Sequence, residues 1–220
     1  MRIISTILFS IFSILLFSCE TVEHRHAPKT ADEALKELIE GNQRYVKNVS
    51  IHHNFIDEAH HSEKEQHPHT FVLSCIDSRV PPEIVFDQGI GNLFVARVAG
   101  NIEDPNILGS MEYAVQVKGT KLLVVLGHSN CGAVQGAIDN VNLGHLTQLT
   151  NQIKVAFNEH RTYPLPEHIS DETGRLNVLS TIDDILFSSK IIRDLVNQEK
   201  IKIVGTFYDL HTGKIEILKS

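Results

Sequence analysis

The sequence predicts an α/β protein in which a mostly parallel β-sheet is flanked by helices. Short apolar runs rich in β-branched residues recur along the chain, and stretches with helical spacing of apolar residues separate them. Buried strands that alternate with helices are typical of a parallel sheet covered on both faces. The 220 residues, of which 42% are hydrophobic and 21% charged, are enough for one domain with one substantial core.

The first residues have the pattern of an export signal. An apolar run over residues 3–17 follows an arginine, and it is short for a transmembrane helix. The run ends in Leu16-Phe17-Ser18-Cys19, which resembles the lipobox of bacterial lipoproteins. We therefore expect residues 1–19 to be a lipoprotein signal peptide, with lipidation at Cys19 anchoring an exported protein to a membrane in the periplasm. The alternative is an ordinary signal peptide with an incidental cysteine.

The rest of the chain divides into a polar tether, residues 20–29, and one domain, residues 30–220. Thr30 and Glu33 predict a capping box at the start of a helix whose apolar stripe ends at Gly41.

A polar stretch over residues 48–69 follows that helix and contains six histidines. We interpret it as a solvated insert. The alternatives are that it binds additional zinc or transfers protons near neutral pH.

The strands and remaining helices alternate after the insert. Four runs predict parallel strands, and a fifth run after Thr212-Gly213 is expected to pair antiparallel at an edge. These runs are 70–75, 93–98, 121–126, 201–207 and, for the fifth, 214–218. Apolar residues at helical spacing predict helices over 106–117, 131–139, 145–159 and 171–198, the last with Ser170 as its cap.

The charge balance argues against nucleic acid and a membrane surface as partners, while the high histidine content is consistent with metal binding. The formal net charge is −7, so no basic surface is available to neutralise nucleic acid, and we expect contact with a membrane only through the N-terminal lipid. The chain has 13 histidines and no tryptophan.

Two polar clusters directly follow predicted strands. The first is Cys75-Ile76-Asp77-Ser78-Arg79, and the second is His128-Ser129-Asn130-Cys131. The carboxyl ends of parallel strands meet at one edge of a sheet, which is where ligands bind. Two thiolates and one imidazole form a zinc ligand set, and three protein ligands leave the open position of a catalytic site. The alternative is a disulfide, because two cysteines remain in an exported protein if Cys19 carries lipid.

Asp77 and Arg79 alternate with Cys75 along an extended segment, so all three side chains can lie on one side. An arginine can hold a carboxylate through two hydrogen bonds. We expect Arg79 to keep Asp77 ionised and oriented beside the metal, a role that is compatible with an ion pair that closes the loop.

The two clusters resemble the signature motifs of the β-class carbonic anhydrases, and the resemblance covers nearly the whole chain after the tether. Supporting matches are Gly41-Asn42-Gln43-Arg44, Val80-Pro81, Phe86-Asp87 through Gly91, Phe94-Val95, Arg97 through Asn101 and Tyr208-Asp209-Leu210. The resemblance implies a β-carbonic anhydrase-like α/β fold and reversible hydration of carbon dioxide to bicarbonate. It also implies one zinc ion per subunit on Cys75, His128 and Cys131, a catalytic Asp77–Arg79 pair, and a homodimer or a multiple of dimers.

Two other functions stay open at this point. The first is a related hydrolase of other small linear molecules, such as carbon disulfide. The second is a periplasmic lipoprotein that binds zinc through the histidine-rich stretch and has no hydratase activity.

Overall fold

A computed structural model describes residues 28–160 and 168–219 of the chain. The predicted signal peptide, Cys19 and most of the predicted tether lie outside the described residues. Within the two described ranges, no helix is both long enough and apolar enough to cross a membrane.

The core of the fold is a five-stranded sheet in the order β2-β1-β3-β4-β5. Four strands are parallel, and β5 pairs antiparallel with β4 at one edge, as the sequence predicts. The strands are β1 Thr70–Ser74, β2 Leu93–Arg97, β3 Leu122–His128, β4 Lys202–Tyr208 and β5 Ile215–Lys219.

Helices cover both faces of the sheet, and every residue of β1 and β3 is buried. This explains why both strands read as continuous apolar runs. The helices are α1 Ala31–Val46, α2 Phe55–Ser62, α3 Pro82–Val85, α4 Pro105–Gln116, α5 Gly132–Ile138, α6 Gly144–His160, α7 Ile169–Ser188 and α8 Lys190–Asn197. Phe71 and Leu73 of β1 belong to an apolar cluster with residues of α4, α7 and α8, while Val72 packs in a second cluster with α1 and α3.

Helix α1 begins as predicted but ends later than predicted. Thr30 and Glu33 form the capping box, yet the helix continues past Gly41 to Val46. A Cβ atom at position 41 would overlap with the carbonyl oxygen of Phe86. Gly41 therefore allows close packing of α1 against the segment after α3, and it does not end the helix.

The prediction of one helix over residues 171–198 is wrong. Ser189 has extended backbone angles, φ −103° and ψ 106°, and it separates α7 from α8. Its Oγ accepts a hydrogen bond from the N–H of Ile192 at 3.2 Å and donates to Glu112 at 2.6 Å. The predicted cap Ser170 lies inside the first turn of α7, which begins at Ile169.

The histidine-rich insert contains α2, a helix that the sequence patterns do not predict. Asn54 caps it by accepting a hydrogen bond from the N–H of Asp57. None of the eight residues of α2 is buried, in keeping with a solvated segment.

Candidate metal centre

The fold brings Cys75, His128 and Cys131 together at the carboxyl edge of the sheet. Cys75 directly follows β1, His128 is the last residue of β3, and Cys131 precedes α5. Because β1 and β3 are parallel neighbours, their carboxyl ends are adjacent. The three potential ligand atoms lie within 4.8 Å of one another, and all three residues are buried.

The two cysteines do not form the alternative disulfide. Both are free thiols, and their sulfur atoms are 3.9 Å apart, whereas a disulfide bond is about 2.05 Å long. The hydrogen bond from Cys131 lowers the pKa of Cys75 to about 4. The same bond raises the pKa of Cys131. The pair therefore gives up its first proton easily, as thiolate ligation of a metal requires.

His128 presents one ring nitrogen to this cluster. Its Nδ1 donates a hydrogen bond to the carbonyl of Ser129 at 2.9 Å. Its buried Nε2 has no hydrogen-bond partner among the described residues. A buried polar atom without a partner is rare in folded proteins. An imidazole whose other nitrogen is held by a carbonyl is the usual form of a histidine metal ligand.

The donor set fits a zinc ion. Two cysteine sulfurs and one imidazole nitrogen match the ligands that zinc prefers, and the unpartnered Nε2 supplies the third donor atom. Burial disfavours protonation of His128, but the nearby Cys75 sulfur outweighs this effect and raises the pKa of the imidazole. A bound cation would replace that proton, so metal binding is expected to release protons.

Asp77 and Arg79 form the expected pair beside the three donors. Arg79 donates from Nε to Oδ1 of Asp77 at 2.9 Å and from Nη2 to Oδ2 at 2.7 Å, and its backbone N–H also bonds Oδ1. These hydrogen bonds hold the pKa of Asp77 well below its usual range. Asp77 Oδ2 lies 3.9 Å from His128 Nε2, so the ionised carboxylate borders the site.

Further contacts hold the Cys75 loop through residues that have no individual role in the sequence motifs. Arg97, the last residue of β2, donates to the carbonyl of Cys75 at 2.9 Å and to that of Asp77 at 2.5 Å. The backbone N–H of Gly100 donates to the sulfur of Cys75 at 3.3 Å. Both residues belong to the matched run 97–101, so the resemblance pointed to this segment without identifying the contacts.

The histidine-rich insert contributes no ligand to the cluster. His69 is buried and bonds Thr70 and Gln88, while His52 bonds Glu58. Among the side chains that the structure describes, Cys75, His128 and Cys131 form the one group of three or more close potential metal ligands.

The fold and site define a class of α/β proteins with a buried Cys-His-Cys cluster, a candidate metal centre, at the carboxyl edge of a parallel sheet. The sequence model of the carbonic anhydrase family matches residues 70–215. Carbonic anhydrase 2 of Mycobacterium tuberculosis is 35% identical over 187 residues, which cover 82% of this chain and 89% of that protein. The carbonic anhydrase of Mycolicibacterium smegmatis is 35% identical over 190 residues, covering 84% and 91%.

A solved structure shows the same fold. One of the tetrameric β-carbonic anhydrases of Sordaria macrospora superposes with a TM-score of 0.64 and 26% identity, over 75% of this chain and 86% of that one. This chain belongs to the β-carbonic anhydrase family.

Proposed function

We propose that the protein catalyses the reversible hydration of carbon dioxide to bicarbonate and a proton, with one zinc ion per subunit held by Cys75, His128 and Cys131. The observation that carries the proposal is the buried, unpartnered Nε2 of His128 beside two free thiols, in a chain that belongs to the carbonic anhydrase family. When bound, zinc would act as a Lewis acid that lowers the pKa of water, so that a proton is released to the buffer and hydroxide is available to attack carbon dioxide.

The chain's own residues orient the reaction. Asp77 Oδ1 accepts two hydrogen bonds from Arg79, whereas Oδ2 accepts one. A carboxylate oxygen can accept about two hydrogen bonds, so Oδ2 retains capacity on the side of His128. Through this oxygen Asp77 would accept a hydrogen bond from the attacking hydroxide and so orient the lone pair that attacks carbon dioxide. Arg79 holds Asp77 in place and keeps it ionised.

The surroundings of the donors exclude bulk water. Cys75 and Cys131 pack in an apolar cluster with Ile102, Val134 and Ile153, all of which are buried. Uncharged carbon dioxide enters such surroundings more easily than bicarbonate does, since a charged group pays a larger desolvation cost. This difference favours release of bicarbonate to solvent.

The test is stopped-flow measurement of carbon dioxide hydration on protein with a measured zinc content. We expect about one zinc per chain and activity in proportion to it. His128→Ala is expected to lose zinc and activity, while His145→Ala, which changes an exposed histidine, keeps both. Zinc-replete wild type that hydrolyses carbon disulfide but does not hydrate carbon dioxide would contradict the proposal. Zinc well above one per chain without hydratase activity would instead favour the metal-binding lipoprotein.

We propose that the protein assembles as a homodimer or a multiple of dimers. The structure from Sordaria macrospora is described as tetrameric. In this chain, the edge strand β2 has four half-buried residues, Leu93 to Ala96, and it borders an apolar groove of about 630 Å³ with Phe71 and Tyr113 in its lining. A second subunit on this edge would cover the unpaired strand. Sedimentation of a stable monomer at micromolar concentration would contradict the assembly.

We further propose that the protein is exported and held at a membrane in the periplasm by lipid on Cys19. The lipobox-like Leu16-Phe17-Ser18-Cys19 after an apolar run supports this location. Wild-type protein should partition into detergent on phase separation, whereas Cys19→Ala should stay in the aqueous phase. Equal partitioning of the two forms would contradict the anchor.

A further inference from the structure

Helix α7 contacts both backbone segments that carry the candidate zinc ligands. Asp171 lies in its first turn, and Asn177 lies further along the same helix. Asp171 bonds the loop that joins His128 to Cys131. Asn177 bonds the segment that hydrogen-bonds Cys75.

The first contact fixes Asn130. Asp171 Oδ1 accepts a hydrogen bond from the backbone N–H of Asn130 at 2.8 Å. The carbonyl of Asn130 accepts from Nη2 of Arg79 at 3.3 Å. Asn130 has a φ of 53°, a left-handed conformation that asparagine tolerates better than most residues. Asp171 and Arg79 thus hold the turn from its two sides, and this turn sets the distance between His128 and Cys131.

The second contact fixes Gly100. Asn177 is buried, with 2% of its surface exposed, and its Nδ2 donates to the carbonyl of Gly100 at 2.7 Å. The N–H of the same glycine donates to the sulfur of Cys75. Asn177 therefore orients the residue that supplies an N–H···S hydrogen bond to a candidate ligand. Such a bond withdraws electron density from a thiolate and tunes its donation to a metal.

We infer that Asp171 and Asn177 are positioning residues for the zinc centre, both supplied by α7. Asp171 holds the His128–Cys131 turn in the spacing that chelation needs, and Asn177 maintains the hydrogen bond to the Cys75 sulfur. The inference rests on the proposed zinc site. Changes to groups that orient metal ligands typically cost 10–100-fold in metal affinity or activity.

The test compares substitutions on one helix through the rate of zinc release to a chelator and the absorption spectrum of the cobalt(II)-substituted protein. Asp171→Ala removes the acceptor and is expected to release zinc about 10–100-fold faster than wild type. Asp171→Asn keeps an acceptor oxygen and should restore release close to the wild-type rate. Asp183→Ala is the matched control, because Asp183 lies on the same helix and bonds only the exposed Lys219 in the described contacts. It should leave both readouts unchanged.

Asn177→Ala is expected to shift the thiolate-to-cobalt charge-transfer band, since the Cys75 sulfur loses an oriented N–H donor. If this variant does not fold, Asn177→Ser is measured instead, because its shorter side chain cannot reach Gly100 in the same way, and the same shift is expected. Unchanged zinc release in Asp171→Ala, equal acceleration in Asp183→Ala, or an unshifted band in the Asn177 variant would overturn the inference. Wild-type protein that binds no zinc would refute the proposed function itself, which separates the two failures.

Discussion

Replacing Gly100 with alanine tests how tightly the Cys75 segment is packed. Gly100 has a φ of 73°, in the left-handed region that favours glycine. A Cβ at this position would overlap with Cδ1 of Ile153 and lie 3.3 Å from its Cγ1 and 3.4 Å from Cβ of Ala133. The substitution therefore imposes both backbone strain and overpacking.

The two effects can be given magnitudes. A left-handed conformation costs a residue with a Cβ about 1–2 kcal/mol, and overpacking a well-packed core costs about 1–3 kcal/mol. We expect Gly100→Ala to lower the free energy of unfolding by about 2–5 kcal/mol. At about 2–4 °C per kcal/mol for a chain of this size, the melting temperature falls by about 4–20 °C.

Ile153→Val separates the two contributions, because valine lacks the Cδ1 atom that the new Cβ would meet. Alone, this change should cost about 0.5–1.5 kcal/mol. Combined with Gly100→Ala it relieves the overlap, so the double variant should lose less stability than the sum of the single variants. The assay is thermal unfolding followed by circular dichroism with saturating zinc and fixed protein concentration. Strictly additive losses, or a loss below about 1 kcal/mol in Gly100→Ala, would refute the packing argument.

Four further predictions concern a zinc ligand, the Asp77–Arg79 pair, the pH dependence of activity and a buried ion pair. Cys75→Ser is expected to lose zinc and hydratase activity together, and full zinc content by metal analysis would contradict its assignment as a ligand. Asp77→Asn should keep zinc and lose about 10–100-fold in turnover. In wild type, activity should rise between about pH 6 and 9, because two thiolates offset the zinc charge and move the ionisation of water above the value near 7 imposed by three histidines. Because Arg79 holds the pKa of Asp77 well below its usual range, Asp77 stays ionised throughout, and the same rise should persist in Asp77→Asn. Arg44→Gln leaves the Asp87 carboxylate, whose side chain is 2% exposed, without its cation, and should cost about 3–5 kcal/mol at pH 7. Burial raises the pKa of Asp87, but the bonds from Arg44 and Ser50 outweigh it and lower that pKa. This stabilisation is therefore present above about pH 3.9 and is lost as the pH falls through the lower pKa of Asp87 in the folded protein. Arg44→Gln should thus destabilise the protein less at pH 3 than at pH 7, and equal destabilisation at the two pH values would contradict this reasoning.

The sequence was most informative where local pattern and burial agree. The apolar runs that form β1 and β3 could be recognised in the sequence because both faces of these strands are covered. Strands buried on both faces contain few polar residues. Thr30 and Glu33 were readable as a cap because a capping box depends on residues three apart. The candidate ligand set was readable because Cys75 and His128 come at the ends of adjacent parallel strands. The carboxyl ends of such strands lie at the same edge of the sheet, whatever the intervening chain contains.

Only the tertiary structure decided where the predicted helices end. Apolar spacing runs through residues 171–198 without interruption, yet Ser189 breaks the helix where its hydroxyl bonds Glu112 on α4. The sequence cannot distinguish a glycine that ends a helix from one that allows another segment to pack closely against the helix. In the structure Gly41 is of the second kind, because a Cβ there would overlap with the carbonyl oxygen of Phe86.

The contacts around the candidate metal ligands were likewise decided by the fold. Asp171 and Asn177 lie 41 and 77 positions from the backbone groups they bond, Asn130 and Gly100. A motif identifies the atoms that can bind a metal, because the residue types determine the donor atoms and their short spacing along the chain brings them close together. The packing of α7 on one face of the sheet brings Asp171 and Asn177 to the segments that carry those atoms. Such hydrogen bonds between distant segments exist only after the chain has folded.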